Sequence, residues 1–163
     1  MNKLYLIVLM QILCITAFAQ KVCTANHGEA YSNNVLSGKN HSEIDLNQNV
    51  TSLPSSQTNI FVYLFTSCKE TPKETRFIIG KKKFAIKFSY IQSKKDNVGI
   101  GELGTAKVIK AGRGLFLWKA AIGLDSEAYL TLKGKVLITG FLGSKNFSLP
   151  ISSIKKLQDT PMY

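Results

Sequence analysis

Two histidine–carboxylate pairs come closest to a metal-binding pattern in this sequence. Glu29 follows His27 by two residues, and Glu43 follows His41 at the same spacing. In an extended chain, residues i and i+2 lie on one face, so imidazole and carboxylate could bind zinc together if the two pairs met. Both pairs lie in a polar region, where such side chains are usually solvated. We therefore expect neither a metal ion nor a cofactor.

Three glycines, Gly99, Gly101 and Gly104, reproduce the G-x-G-x-x-G spacing of dinucleotide-binding loops. That mechanism needs a strand that leads directly into the glycines and a helix that begins on them, because the helix amides bind the pyrophosphate. Here a polar run over residues 93–97 precedes the glycines, and residues 105–111 behind them contain β-branched side chains. The pattern therefore indicates a β-bulge or hairpin loop, with no nucleotide site.

Other catalytic patterns are weakly developed. The sequence has no G-x-S-x-G motif, and a Ser-His-Asp or Cys-His site would have to recruit a histidine from the polar region. Glycoside hydrolysis needs two rigidly held acids about 5–9.5 Å apart. The nearest candidates, Glu102, Asp125 and Glu127, fall in loop-like or strand-edge contexts. We therefore predict a protein that is not an enzyme.

The chain is strongly basic, with 21 lysine and arginine residues against 10 acidic ones and a formal net charge of +11 at pH 7. This balance favours anionic partners and raises association rates with them. Only Arg76 and Arg113 are arginines. Because arginine is the residue suited to bidentate recognition of phosphates and base edges, no nucleic-acid partner is expected.

Lysines concentrate at a predicted hairpin turn and in the loop that follows it. These candidate polyanion contacts are Lys81, Lys82, Lys83, Lys94 and Lys95. If alternate hairpin tips meet at one end of the fold, the lysines form a cationic binding end. Lysines at tips and edge strands also prevent edge-to-edge aggregation without any ligand, and this second interpretation is preferred.

Four aromatic residues could line a cavity for an apolar ligand: Phe84, Phe88, Phe116 and Trp118. In a small closed barrel, inward-facing aromatics can enclose such a molecule. The simpler interpretation is ordinary core packing, and we prefer it.

The N-terminus has the layout of a secretory signal peptide. Lys3 supplies a positive charge, residues 4–15 form an apolar run, and residues 17–19 read Ala-Phe-Ala, as at a signal-peptidase site. The run is shorter than the roughly 20 residues needed to cross a bilayer core, which disfavours a retained anchor. We expect cleavage near Gln20, and a mature chain that is exported (periplasmic, cell-surface or secreted) and has no transmembrane segment.

Removal of this leader also removes Cys14 and leaves two cysteines, Cys23 and Cys68. An even number of cysteines in an oxidising compartment predicts a disulfide. The alternative is a pair of free thiols.

Residues 20–57 are rich in Asn, Ser, Gly and Thr, which predicts an irregular polar arm with at most a short strand near residues 43–46. From residue 58 onward, short apolar or alternating runs predict strands. They are residues 60–65, 77–79, 84–91, 106–109, 115–122, 128–132, 136–141 and 147–151. The continuous run 60–65 predicts a strand buried on both faces, and residues 153–158 a helical turn.

Seven or eight short strands without a long helix predict an all-β fold: a single antiparallel β-sandwich or small barrel over residues 58–163, preceded by the arm. The sequence thus favours an exported, non-enzymatic binding or assembly module of the cell envelope or surface. Its partner would be another envelope or surface protein, or an anionic surface. The alternatives are a small barrel that carries an apolar ligand, and a cationic module for anionic glycans or membranes.

Overall fold

The computed structural model describes residues 22–36, 57–101 and 104–161, which form twelve strands and one short helix. The strands are β1 (Ala25–Leu36), β2 (Gln57–Thr66), β3 (Lys73–Ile79), β4 (Lys82–Ala85), β5 (Ser89–Tyr90), β6 (Lys95–Ile100), β7 (Ala106–Lys110), β8 (Phe116–Asp125), β9 (Val136–Leu142), β10 (Lys145–Ile151), β11 (Ile154–Lys156) and β12 (Thr160–Pro161), and the helix is α1 (Ser126–Leu130). The all-β prediction is confirmed. The predicted leader lies outside the described residues.

The strands form three layers. The middle layer is a six-stranded sheet in the order β11-β1-β2-β8-β5, with β12 also paired to β1. A four-stranded sheet, β10-β9-β3-β4, packs on one face of it, and the β6–β7 hairpin covers the other face. Within the described residues the sheets remain open, so the fold is a sandwich and the barrel alternative is wrong.

Strand β2 lies at the centre of both cores. Ile60, Val62 and Leu64 face the four-stranded sheet, whereas Tyr63 and Phe65 face the β6–β7 hairpin. All five side chains are at most 2% exposed. The prediction that residues 60–65 form a strand buried on both faces is confirmed, and the three-layer stack explains it.

Residues 84–91 cross from one sheet to the other. Their predicted alternation is confirmed, because residues 84, 86, 88 and 90 pack against the core while residues 85, 87 and 89 are exposed. The first part, β4, pairs with β3, whereas β5 pairs with β8. Phe88, 3% exposed, lies between the two strands and fills the space between the sheets. A chain that switches sheets turns a corner of the sandwich, and therefore the predicted single strand is two short ones.

Strand β1 corrects the prediction of an irregular arm over residues 20–57. Residues 25–36 pair with β2 along almost their whole length, from Ala25 opposite Thr66 to Val35 opposite Gln57. The small residues of this segment suit close packing between sheets. A Cβ atom added at Gly28 would lie 2.5 Å from Cδ1 of the buried Ile138 in the opposite sheet. Residues 37–56 lie outside the described part of the chain.

Two further segments differ from their predictions. Residues 128–132 were expected to form a strand, but α1 occupies residues 126–130 because the Asp125 carboxylate caps the backbone N–H groups of Glu127 and Ala128. Residues 153–158 were expected to form a helical turn, but β11 runs parallel to β1 there. The middle sheet is therefore mixed and not wholly antiparallel, and two- and three-residue strands raise the count above the predicted seven or eight.

The glycine motif is a bulge and a hairpin loop, as predicted. Gly99 has φ +140°, and the β6–β7 register shifts between Asn97 and Gly99. The backbone N–H of Gly101 donates to the Thr105 carbonyl at 2.8 Å, which begins the return into β7.

The disulfide predicted between Cys23 and Cys68 is present, with 5.4 Å between the Cα atoms. It joins the residue two positions before β1 to the residue two positions after β2. The bond therefore closes the β1–β2 pair at the end opposite the 37–56 connection.

Loss of this bond should weaken the attachment of β1. We expect the double substitution Cys23→Ser with Cys68→Ser to lower the free energy of unfolding by about 2–4 kcal/mol, because the unfolded chain regains loop entropy. Urea unfolding followed by circular dichroism measures the change. The intact protein should also weigh about 2 Da less than its dithiol form, since one bridge removes two hydrogens. Unchanged stability after complete reduction would contradict the prediction.

Candidate ligand-binding groove

A groove runs along β7 where the β6–β7 hairpin leaves part of the middle sheet uncovered. It consists of two adjoining cavities that share Thr105 and Lys107, with volumes of about 590 Å³ and 540 Å³. Residues 105–110 form one wall of the first cavity, and strand β11 forms a wall of the second. We call the two cavities together the β7 groove.

The floor of the groove comes from alternate residues of β1. His27, Glu29 and Tyr31 share one face of the strand, as period-two geometry requires. The His27 ring stacks on Phe65 with 4.0 Å between centroids and 12° between planes. His27 is exposed whereas Phe65 is 2% exposed, so the stack presents a flat aromatic surface to the groove.

Glu29 is already engaged by its neighbours. The Tyr31 hydroxyl donates to Glu29 Oε2 at 2.5 Å, and Lys155 Nζ lies 4.0 Å from the same oxygen. Burial raises the pKa of Tyr31 far above its ordinary value of 10.0, and the hydrogen bond to Glu29 adds to the effect. Tyr31 therefore stays a neutral donor, and Glu29 acts as its acceptor.

Four lysines line the groove. Lys107 lies on β7 and Lys155 on β11, with Nζ atoms 5.8 Å and 5.5 Å from the Tyr31 ring centroid. Lys110 lines the first cavity further along β7, and Lys156, whose Nζ lies 3.9 Å from Asp159 Oδ1, lines the second. Against these four cations the lining holds one carboxylate, that of Glu29. The arrangement can bind an anion through charge and hydrogen bonds.

A second polar cluster holds the hairpin in place over the sheet. The Tyr63 hydroxyl donates to Asp96 Oδ2 at 2.5 Å, and Lys119 Nζ lies 2.7 Å from the same oxygen. Burial alone would raise the pKa of Asp96, but the hydrogen bonds from Lys119 and Tyr63, with the charge of Lys119, hold it below its ordinary value. Burial raises the pKa of the Tyr63 hydroxyl, and its hydrogen bond to Asp96 raises it further. These contacts connect β6 to β2 and β8.

The histidine pairs do not meet within the described structure, because His41 and Glu43 lie outside it. In the part that is described, one group of three potential metal ligands occurs, Cys23, Cys68 and Glu70. Its two cysteines are joined as a disulfide and have no thiolate to offer. The metal interpretation therefore gains no support.

Two of the three acids considered for glycoside hydrolysis lie in the described residues. Asp125 caps α1 and Glu127 is exposed on that helix, whereas Glu102 lies outside the described residues.

The predicted polyanion lysines fall into two groups outside the β7 groove. Lys81, Lys82 and Lys83 lie at the β3–β4 turn, next to the 133–135 turn, where Gly80 N–H donates to the Lys135 carbonyl at 2.9 Å. The second group lies where β6 begins, with Lys94 Nζ 5.1 Å from the Phe116 ring centroid and with Lys95 next in sequence. Binding by these five lysines stays a prediction.

Most of the residues predicted to line a cavity for an apolar ligand belong to the hydrophobic core. Phe88 and Trp118 are each 3% exposed, and Phe84 packs against the same cluster. Phe116 lies beside Tyr90, 6.2 Å between ring centroids. This packing favours the core interpretation of these residues over a ligand cavity.

Sequence reasoning did not bring together the residues that line the groove, which include Tyr31, Lys107, Lys110, Lys155 and Lys156. A signal existed for Tyr31, because it continues the alternation of His27 and Glu29. Lys107 and Lys155 are 48 positions apart, and no local pattern connects them.

The chain matches no protein-family model, no curated protein and no solved structure. Among the described residues, no helix combines the length and hydropathy that a membrane crossing requires.

The Asp96 cluster predicts a specific acid sensitivity. The pKa of Asp96 is lower in the folded state than in the unfolded state. The carboxylate therefore stabilises the fold fully at pH values above the unfolded-state pKa, and this stabilisation is lost as the pH falls through the folded-state pKa. We expect Asp96→Asn to lower the free energy of unfolding at pH 7 by about 1–3 kcal/mol, because the variant loses charge-assisted hydrogen bonds. The difference from the wild type should shrink as the pH falls below 3.8, measured by urea unfolding.

Asp159→Asn provides the matched control. Asp159 pairs with Lys156 at the surface, at 3.9 Å, so its substitution should cost less than about 1 kcal/mol. An Asp96→Asn deficit that stays constant from pH 7 to below 3.8 would contradict the assignment.

Proposed function

We propose that this protein is an exported, non-enzymatic binding module of the cell envelope or surface, and that the β7 groove binds its anionic ligand. The observation that carries the proposal is a groove lined by four lysines, Lys107, Lys110, Lys155 and Lys156, and by one carboxylate, which Tyr31 already engages. An anion placed there would gain charge interactions with cations from both walls of the groove.

Two features support export. The N-terminal sequence has the three regions of a secretory leader. The Cys23–Cys68 disulfide is the kind of bond that persists in oxidising compartments outside the cytoplasm. An envelope or surface location also supplies anionic polymers and acidic proteins as ligands.

The groove is better suited to binding than to catalysis. Its carboxylate, Glu29, already accepts a hydrogen bond from Tyr31 and lies 4.0 Å from Lys155, so contacts within the fold occupy it. Tyr31, whose pKa is raised, is held as a neutral donor.

The predicted lysines at the β3–β4 turn provide a second candidate surface for polyanions. Lys81 and Lys83 are exposed on the four-stranded sheet, which packs on the face of the middle sheet opposite the β6–β7 hairpin. A ligand bound there would not reach the β7 groove, and so substitutions can distinguish the two surfaces.

We expect Lys110→Gln with Lys155→Gln to weaken binding of polygalacturonate, a polyanionic carbohydrate, by about tenfold or more, since each surface lysine contributes about 1 kcal/mol towards a polyanion. Titration calorimetry at low salt measures the affinity, with neutral dextran as the negative probe. Wild-type binding should weaken steeply as salt rises, because binding releases counterions.

Lys81→Gln with Lys83→Gln is the matched control, because it removes the same charge from the other surface. Its affinity should stay within about twofold of the wild type, because these two charges are screened and act on the groove only at long range. If the control pair loses binding and the groove pair does not, the ligand occupies the other surface. If wild-type protein binds no anionic probe at low salt, the proposed function is wrong.

A further inference from the structure

We propose that the ligand of the β7 groove is an extended, acidic segment of another protein, which adds as a strand to the free edge of β7. The inference rests on the proposed function, because it specifies the partner of the same groove. It depends on three observations: the hydrogen-bond pattern of β7, the position of its edge along the groove, and the charge of the groove.

The hydrogen-bond pattern shows which backbone groups of β7 point away from β6. Gly101 N–H donates to the Thr105 carbonyl, and Ala111 N–H donates to the Lys94 carbonyl. In an antiparallel pair, only alternate residues exchange hydrogen bonds with the partner strand. Residues 105, 107, 109 and 111 therefore face β6, whereas the N–H and carbonyl groups of residues 106, 108 and 110 point to the opposite side.

Nothing in the described structure pairs with that opposite side. Within residues 22–36, 57–101 and 104–161, β6 is the single strand paired with β7. The outer edge of β6, in contrast, is partly paired. The Ile100 carbonyl accepts from Gln158 N–H at 2.9 Å, and Gly101 forms a β-bridge with Leu157. The hairpin thus has one edge fixed to the segment after β11 and one open edge.

The open edge borders the groove. Residues 105–110, six consecutive positions, line the cavity whose floor is His27, Glu29 and Phe65. A strand laid in this cavity would meet the outward N–H and carbonyl groups of β7 on one side and the His27–Phe65 stack below. Main-chain hydrogen bonds supply affinity in such strand addition, and the contacts of alternate side chains supply specificity.

The charge of the groove selects an acidic partner. Its lining contains four lysines and one carboxylate, which is already engaged. An anionic polysaccharide would satisfy these lysines but has no two-residue repeat of donors and acceptors for the β7 edge. An acidic polypeptide satisfies both, which is why we favour it.

The test uses an octapeptide of alternating Glu and Val, capped at both ends, with the Lys and Val version as the charge control. Val108→Pro removes an N–H that points into the groove while leaving the β6 ladder intact, and Val108 is 41% exposed. We expect this variant to bind the acidic peptide at least about tenfold more weakly, because it loses a hydrogen bond and its ring obstructs the added strand.

Val108→Ala is the matched control and should bind the peptide within about twofold of the wild type, because it keeps the N–H. A urea unfolding curve checks that Val108→Pro folds. If it does not fold, the wild type is titrated with peptides N-methylated on all Glu or on all Val residues, and one of the two should lose binding.

The outcomes separate the two proposals. Equal peptide affinity of Val108→Pro and Val108→Ala, or equal affinity of the wild type for both N-methylated peptides, overturns strand addition. Binding of polygalacturonate without binding of the acidic peptide overturns strand addition and leaves the proposed function standing. Binding of neither probe by the wild type overturns both.

Discussion

The pairing of β1 with β2 is the interaction on which both cores and the groove depend. β1 places Ala30 in the core beneath the four-stranded sheet and Tyr31 in the core beneath the β6–β7 hairpin. It also provides the edge to which β11 and β12 attach in parallel. Without β1, the floor of the groove and its β11 wall would both be lost. The disulfide closes one end of this pair, so the covalent constraint acts on the element with the weakest local sequence preference.

The β6–β7 hairpin contributes the other wall, and a two-stranded sheet is at best marginally stable by itself. Val98 and Ile109 provide its apolar contacts with the middle sheet. The Asp96 cluster adds directional contacts that orient the hairpin on the sheet, because the carboxylate accepts from Tyr63 on β2 and pairs with Lys119 on β8. Apolar contacts alone would tolerate sliding of the hairpin over the sheet. Two short polar contacts from different strands define its position, and with it the width of the groove.

The fold was predictable where local pattern and tertiary environment agree. The run over residues 60–65 predicts a strand buried on both faces, and both faces of that strand are covered. The alternation that begins at Phe84 also continues, although the chain changes sheets there. β1 was not predictable, because its Asn, Gly and Ser residues favour turns locally and become a strand only through pairing with β2 and close packing at Gly28. The groove was not predictable for a related reason. Its lysines lie on β7 and β11, which come together because the bridge between Gly101 and Leu157 fixes the end of β6 to the segment after β11.

The stability of the fold and the positive charge of the groove depend on different residues. Tyr31, Tyr63 and Phe65 are at most 2% exposed and hold the layers together, so substitutions there act on folding. Lys110 and Lys155 are exposed or half-exposed, and substitutions at such positions change stability little. The cationic character of the groove can therefore change without loss of the sandwich. The hydrogen-bonding pattern of the β7 edge cannot change in this way, because its outward N–H and carbonyl groups follow from the pairing of β7 with β6. Under the proposed function, backbone geometry would set how a ligand binds, and the exposed lysines would set the charge that it carries.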